Sequence, residues 1–177
     1  YTATENETDV ILLSPTGSGK TLAFLFPLLR NLKKESTGIQ AMILVPAREL
    51  ALQIEQVFKQ MGTDFKVSIC YGGHDKKIEI NNFREAPAVL IGTPGRIAYH
   101  LRNQNFDPTT IKTLVLDEFD KALELGFEED MNEIIEALEN NSQRILTSAT
   151  AMDKIPDFVG LKNEKTINFL KLQETKP

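Results

Sequence analysis

The chain has 177 residues, 41% of them hydrophobic and 25% charged, with a formal net charge of −5. That length suits one domain with a full core, and the acidic balance excludes a general electrostatic pull towards nucleic acid, leaving only a local face of a few Arg, Lys and backbone N–H groups. No apolar run is long enough to span a bilayer, no signal-peptide pattern opens the chain, and the single cysteine, Cys70, excludes an intrachain disulfide and a thiolate zinc cluster.

The first predicted element is the apolar run Val10–Leu13. It leads into Ser14-Pro15-Thr16-Gly17-Ser18-Gly19-Lys20-Thr21 and then a second apolar run, Leu22 to Leu32. Strand, glycine-bearing turn and helix in that order make a P-loop, with Ser14 where the strict pattern has Gly. Gly17 and Gly19 tolerate positive φ and let the backbone wrap an anion closely. The turn's N–H groups and the first helical turn favour negative charge at one spot. Thr16, Gly17, Ser18, Gly19, Lys20 and Thr21 are the candidate nucleotide-binding residues. Lys20 suits the β/γ-phosphates and Thr21 offers a hydroxyl to Mg²⁺. The competing reading, an ordinary glycine turn before Lys-Thr, does not explain the strand and helix on the correct sides. The helix that follows is apolar almost all round and reads as buried, with an irregularity near Pro27.

Further strands are predicted at Ala41–Val45, Lys66–Cys70, Ala88–Ile91, Thr113–Leu116, Arg144–Thr147 and Lys165–Asn168. These runs alternate with helical patterns and are mostly apolar, as in a parallel α/β sheet buried on both faces. Leu50, Ala51, Ile54, Phe58 and Met61 form one helical stripe, and Met131, Ile134, Ile135 and Leu138 another; both read as core-facing. Three loops share the P-loop's geometry. Pro46-Ala47-Arg48-Glu49-Leu50 and Thr93-Pro94-Gly95-Arg96 each end a strand and open a helix, with Thr93 at the N-cap and Pro94 in the first turn. Tyr71-Gly72-Gly73 follows the strand ending at Cys70. Such loops gather at the carboxyl edge of an open parallel sheet. There Arg48 and Arg96 suit a second polyanion such as a nucleic-acid backbone, or serve as solvated arginines beside plain helix caps.

Asp117-Glu118-Phe119-Asp120 ends the strand Thr113–Leu116. Acids crowded at the end of an apolar strand are costly unless a cation or proton chemistry uses them. With a P-loop upstream, Asp117 suits Mg²⁺, partly through water, and Glu118 suits the polarisation of an attacking water. A solvated acidic helix start is the alternative. Ser148-Ala149-Thr150 ends another buried strand, as a turn or as hydroxyls that bond the acids. His74 and His100 lie far apart in sequence and read as surface residues. An intracellular, cytoplasmic or nuclear, setting fits the lone cysteine.

Taken together, the segments at 14–21, 46–51, 72–73, 93–96, 117–120 and 148–150 resemble, in the family's own order, the DEAD-box ATP-dependent RNA helicases. The resemblance implies the first RecA-like domain of a two-domain core: an open, mostly parallel sheet with helices on both faces. It implies ATP and Mg²⁺ as cofactors, with Lys20, Asp117 and Glu118 catalytic and Thr21 and Asp117 at the metal. Pro46, Arg48, Gly72, Gly73, Thr93, Pro94, Gly95 and Arg96 would line an RNA backbone. Asp120, Ser148 and Thr150 would couple the ATP site to RNA. The strand ending in Ser148 would lie between the P-loop strand and the acidic strand, bringing Ser148 within reach of Asp120. Phe119 and Ala47 depart from the family's usual Ala and Thr; at Phe119 changed packing is expected rather than lost chemistry. Residues 1–170 read as that domain, monomeric by itself, and 171–177 as the start of a linker. The family's adenine-recognising segment is expected outside these residues, since Tyr1 to Asp9 is too short for it and has no Gln, and so is the second RecA-like domain; such an excised domain would be poorly active alone. A DNA translocase of the same superfamily, an ATP-dependent RNA clamp and a small-molecule kinase are the other readings; the last leaves 93–96 and 148–150 without a role.

Overall fold

The computed structural model describes residues 8–15, 19–138 and 142–170. Thr16, Gly17 and Ser18 of the predicted P-loop, and the predicted linker 171–177, lie outside the described residues. The chain alternates strand and helix: β1 (Val10–Leu13), α1 (Lys20–Asn31), β2 (Ala41–Leu44), α2 (Arg48–Gln60), β3 (Val67–Cys70), α3 (Lys76–Phe83), β4 (Val89–Gly92), α4 (Pro94–Arg102), β5 (Thr113–Leu116), α5 (Phe119–Glu124), α6 (Glu128–Ala137), β6 (Gln143–Ser148) and β7 (Lys165–Asn168). Each strand falls on a predicted run, to within a residue at either end.

The strands form one sheet in the order β3-β4-β2-β5-β6-β1-β7, every pair parallel. As the resemblance implied, β6 lies between β1 and β5. Successive strand residues point to opposite faces. Ala41, Ile43, Val89, Ile91 and Val115 therefore pack with Phe24, Leu25 and Leu28 of α1 and Ala51, Ile54 and Phe58 of α2. Met42, Leu44, Leu90, Leu114 and Leu116 pack on the other face with Ile97 of α4, Phe119 of α5 and Met131 and Ile134 of α6. Among the described residues no helix is long and apolar enough to cross a membrane.

Three expectations give way. α1 is not buried all round: Leu22 and Phe26 are 42% and 58% exposed, because only Phe24, Leu25 and Leu28 fall on the side turned to the sheet. The helix runs unbroken through Pro27. β7, at one edge of the sheet, is exposed at Lys165, Thr166 and Asn168 rather than buried on both faces.

Candidate active site

Parallel pairing brings the carboxyl ends of β1, β6 and β5 side by side, so Ser14, which follows β1, and the acidic end of β5 share one edge of the sheet. Ser14 N–H donates to the Ser148 carbonyl at 3.0 Å, tying the start of the loop to the end of β6. Gly19 takes φ +81°, and α1 begins at Lys20. A side chain there would be strained by the left-handed backbone. The Lys20 side chain is buried, and among the described residues its Nζ has no hydrogen-bond partner. A buried, unpaired ammonium is costly, and the arrangement makes chemical sense when an anion completes it. Thr21 sits in the first turn of α1, half-buried.

Asp117 is buried at the end of β5, its N–H donating to the Leu44 carbonyl at 2.9 Å. Burial pushes its carboxyl above the ordinary value, against the Thr147 hydrogen bond and the Lys20 charge. Glu118 is also raised, by burial and then by the negative charge of Asp117, again opposed by Lys20. Lys20 thus acts on both acids across the site. Glu118 holds φ +48°, ψ +51°, a left-handed conformation that costs a non-glycine residue about 1 kcal/mol or more.

Thr147 holds that geometry. Its Oγ1 donates to Asp117 Oδ1 and accepts from Glu118 N–H at 2.9 Å, on a side chain with no exposed surface. Sequence reasoning passed it over. Its role follows from register: Leu116 stands opposite Leu146, so Asp117 and Thr147 follow as the next residues on neighbouring strands. Asp120 is met not by Ser148 but by Thr150, whose Oγ1 donates to Asp120 Oδ2 at 2.9 Å. Ser148 Oγ donates instead to the Thr150 carbonyl at 2.7 Å, closing the turn that presents Thr150. Phe119 is fully buried, its ring 6.2 Å from that of Phe158.

A second, open groove of about 560 Å³ lies over the neighbouring strand ends β2, β4 and β3. Pro46, Arg48, Gly72, Thr93, Gly95 and Arg96 line it, while Gly73 and Pro94 belong to the same loops without lining it. Thr93 occupies the N-cap of α4 but makes no side-chain capping bond, so its hydroxyl is not spent on the helix. The two arginines differ. Arg48 is exposed and, among the described residues, pairs only with its neighbour Glu49, at 3.3 Å. Arg96 is nearly buried and donates through Nη1 to Glu79 Oε2 and the His74 carbonyl, both at 3.0 Å. Lys76 and Tyr99, which the sequence did not single out, also line the groove, the ammonium 4.2 Å from the ring centroid. The histidines are not both surface residues. His100 is fully buried on Glu79, and His74, partly buried, bonds the same carboxylate.

The family model described as DEAD/DEAH box helicase matches residues 1–158. An ATP-dependent RNA helicase, CshA, of Limosilactobacillus reuteri is 41% identical over 149 residues, covering 83% of this chain and 30% of its own. An ATP-dependent rRNA helicase, RRP3, of Encephalitozoon cuniculi is 38% identical over 173 residues, covering 96% and 43%. The crystal structure of a DEAD box protein from the hyperthermophile Methanococcus jannaschii superposes with a TM-score of 0.85 at 30% identity, over 92% of this chain and 46% of that one. The chain therefore spans less than half the length of each.

Proposed function

The chain belongs to the DEAD/DEAH box helicase family, and from that premise we propose that it is the ATP-binding half of an RNA helicase core. In this reading ATP binding and hydrolysis at the β1/β5/β6 edge drive RNA binding in the groove over β2, β3 and β4, and local strand separation follows. The observation that carries it is the Lys20 ammonium, buried and without a hydrogen-bond partner among the described residues, on the same sheet edge as the acids that end β5.

Each residue then has a task. Lys20 binds and neutralises the terminal phosphates. Glu118 orients the attacking water and takes its proton. Thr147 keeps Asp117 and Glu118 in register. The donor set fits Mg²⁺: the Thr21 hydroxyl and the buried Asp117 carboxylate would hold it, as hard oxygen ligands. When bound, the ion would neutralise phosphate charge. The Thr150–Asp120 bond links the end of β6 to α5, and would carry the nucleotide state towards the groove. There Arg48, Thr93 and the loop N–H groups of Gly72, Gly73 and Gly95 would meet RNA phosphates, with Pro46 and Pro94 fixing the loops and Arg96 in the floor. A second RecA-like domain would complete both sites, beyond the span 1–170, with 171–177 leading towards it.

The test is Glu118→Gln in the intact protein. It should bind ATP as the wild type does and lose RNA-stimulated hydrolysis by at least about a hundredfold, the scale of a positioned general base. Normal turnover would remove Glu118 from its role. Stimulation by DNA as strong as by RNA would shift the substrate assignment.

A further inference from the structure

Beneath the groove, α3 is packed with its polarity reversed. Ile78 and Ile80 are 52% and 37% exposed, yet Glu79 between them is 1% exposed. Its carboxylate is a meeting point. Oε1 accepts from Tyr71 N–H at 3.1 Å and from His74 Nδ1 at 3.0 Å. Oε2 accepts from Arg96 Nη1 at 3.0 Å and from His100 Nε2 at 2.5 Å. Asn105 Nδ2 donates to His100 Nδ1 at 2.9 Å, which leaves the ring's proton on Nε2, pointing at Glu79. Burial alone would push the Glu79 carboxyl up, but the donors His100, His74, Arg96 and Tyr71 outweigh it and hold the group below the ordinary value. Cys70, Glu79 and His100 also offer ligand atoms within 4.8 Å of one another. Both Glu79 oxygens are filled by protein donors, so the carboxylate is spent on its neighbours rather than offered to a cation.

The donors come from two segments that each carry a groove-lining residue, Gly72 and Arg96. Tyr71 and His74 flank the Gly72-Gly73 turn after β3, while Arg96 and His100 belong to α4 after β4. We propose that Glu79 is a positioning residue for the nucleic-acid groove, its buried carboxylate clamping the Gly72-Gly73 turn and the Arg96 guanidinium to one anchor. The inference rests on the reading of that groove as the RNA site. A general contribution to stability does not call for this arrangement, because a buried ionic cluster is replaceable by apolar packing. A cluster with one acceptor and donors from two loops fixes the spacing between those loops. It also neutralises Arg96 from below, so that Arg48 and the loop N–H groups, rather than Arg96 alone, set the affinity.

The experiment measures RNA-stimulated ATP turnover of the intact protein against a single-stranded oligouridylate, for Glu79→Gln, His74→Ala and Arg48→Ala. Glu79→Gln keeps the shape and removes the charge and one acceptor. The RNA concentration for half-maximal turnover should rise about tenfold. Turnover at saturating RNA and the ATP requirement should stay within about twofold, since the P-loop edge is untouched. A merely destabilised protein would lose maximal turnover instead. His74→Ala, on a partly exposed side chain with little risk to folding, should raise the same midpoint about threefold. Arg48→Ala reports on the groove itself. If it weakens RNA binding while Glu79→Gln and His74→Ala do not, the positioning role falls and the groove stands. If Arg48→Ala has no effect, the groove reading falls and takes this inference with it. Tighter RNA binding by Glu79→Gln would also overturn the proposal, since Glu79 would then act only as a counterion that restrains Arg96.

Discussion

Replacing Thr147 with valine tests whether one hydroxyl holds the acidic pair in place. The two side chains have nearly the same shape, so the change isolates two hydrogen bonds on a fully buried group. The bond to the Asp117 carboxylate is charge-assisted and worth about 1.5–3 kcal/mol, and the bond accepted from Glu118 N–H about 1 kcal/mol. Burying one extra methyl returns about 0.8 kcal/mol. The net loss is about 2–3 kcal/mol, a fall in Tm of roughly 5–10 °C for a domain of this size. The effect on turnover should exceed the effect on stability. Glu118 is held at φ +48° against its own preference, and its N–H bond to Thr147 is part of what holds it there. Without that bond the backbone relaxes and the carboxylate leaves its position beside Asp117, so ATP turnover should drop about tenfold or more while nucleotide affinity changes little. Thermal unfolding followed by circular dichroism, with phosphate release measured below both transitions, reads the two effects separately. Thr147→Ser restores the hydroxyl and should recover most of each. A valine variant that melts within about 1 °C of the wild type and hydrolyses ATP normally would refute the reasoning.

Phe119→Ala should cost about 3–5 kcal/mol, because the side chain is fully buried against Phe158 and the core beneath α5. It should leave turnover per folded molecule nearly intact, so a large loss of turnover at a temperature where the variant is folded would show that the ring also positions Glu118. The pH dependence of stability should carry the signature of Glu79. Its carboxyl is depressed in the folded state, so its contribution is complete above the ordinary glutamate value of about 4.5 and is lost as pH falls through that value and below it. Glu79→Gln should therefore melt lower than the wild type at neutral pH, with the gap closing as the solution is acidified. A gap that stays constant from pH 7 to about pH 3 would contradict the charged anchor.

Much of this molecule is legible locally. Four-residue apolar runs such as Val10–Leu13 and Thr113–Leu116 predict strands, and the stripe Ala51, Ile54, Phe58 predicts a helix face, because strand and helix periodicity depends on neighbours a few residues apart. The P-loop and the acidic tetrad are likewise local, since glycine at Gly19 and a lysine at the helix start have a meaning wherever a strand precedes them. α1 misled because its apolar residues outnumber those its sheet-facing side can bury, so composition did not tell which face was covered.

What periodicity could not supply was register and partner. Thr147 looks like any strand threonine until the β5–β6 pairing puts it beside Asp117. Thr150, not Ser148, reaches Asp120 because the Ser148 hydroxyl is turned back on its own loop. Glu79 and His100, 21 residues apart and each unremarkable in its own helix, become one buried cluster only when β3 and β4 pair and carry α3 and α4 with them. A lone polar residue carries no mark of the donor it will meet, and parallel strands meet their donors across long crossovers. The chemistry types were therefore written in the chain, whereas the contacts that orient them arose from strand pairing between distant segments.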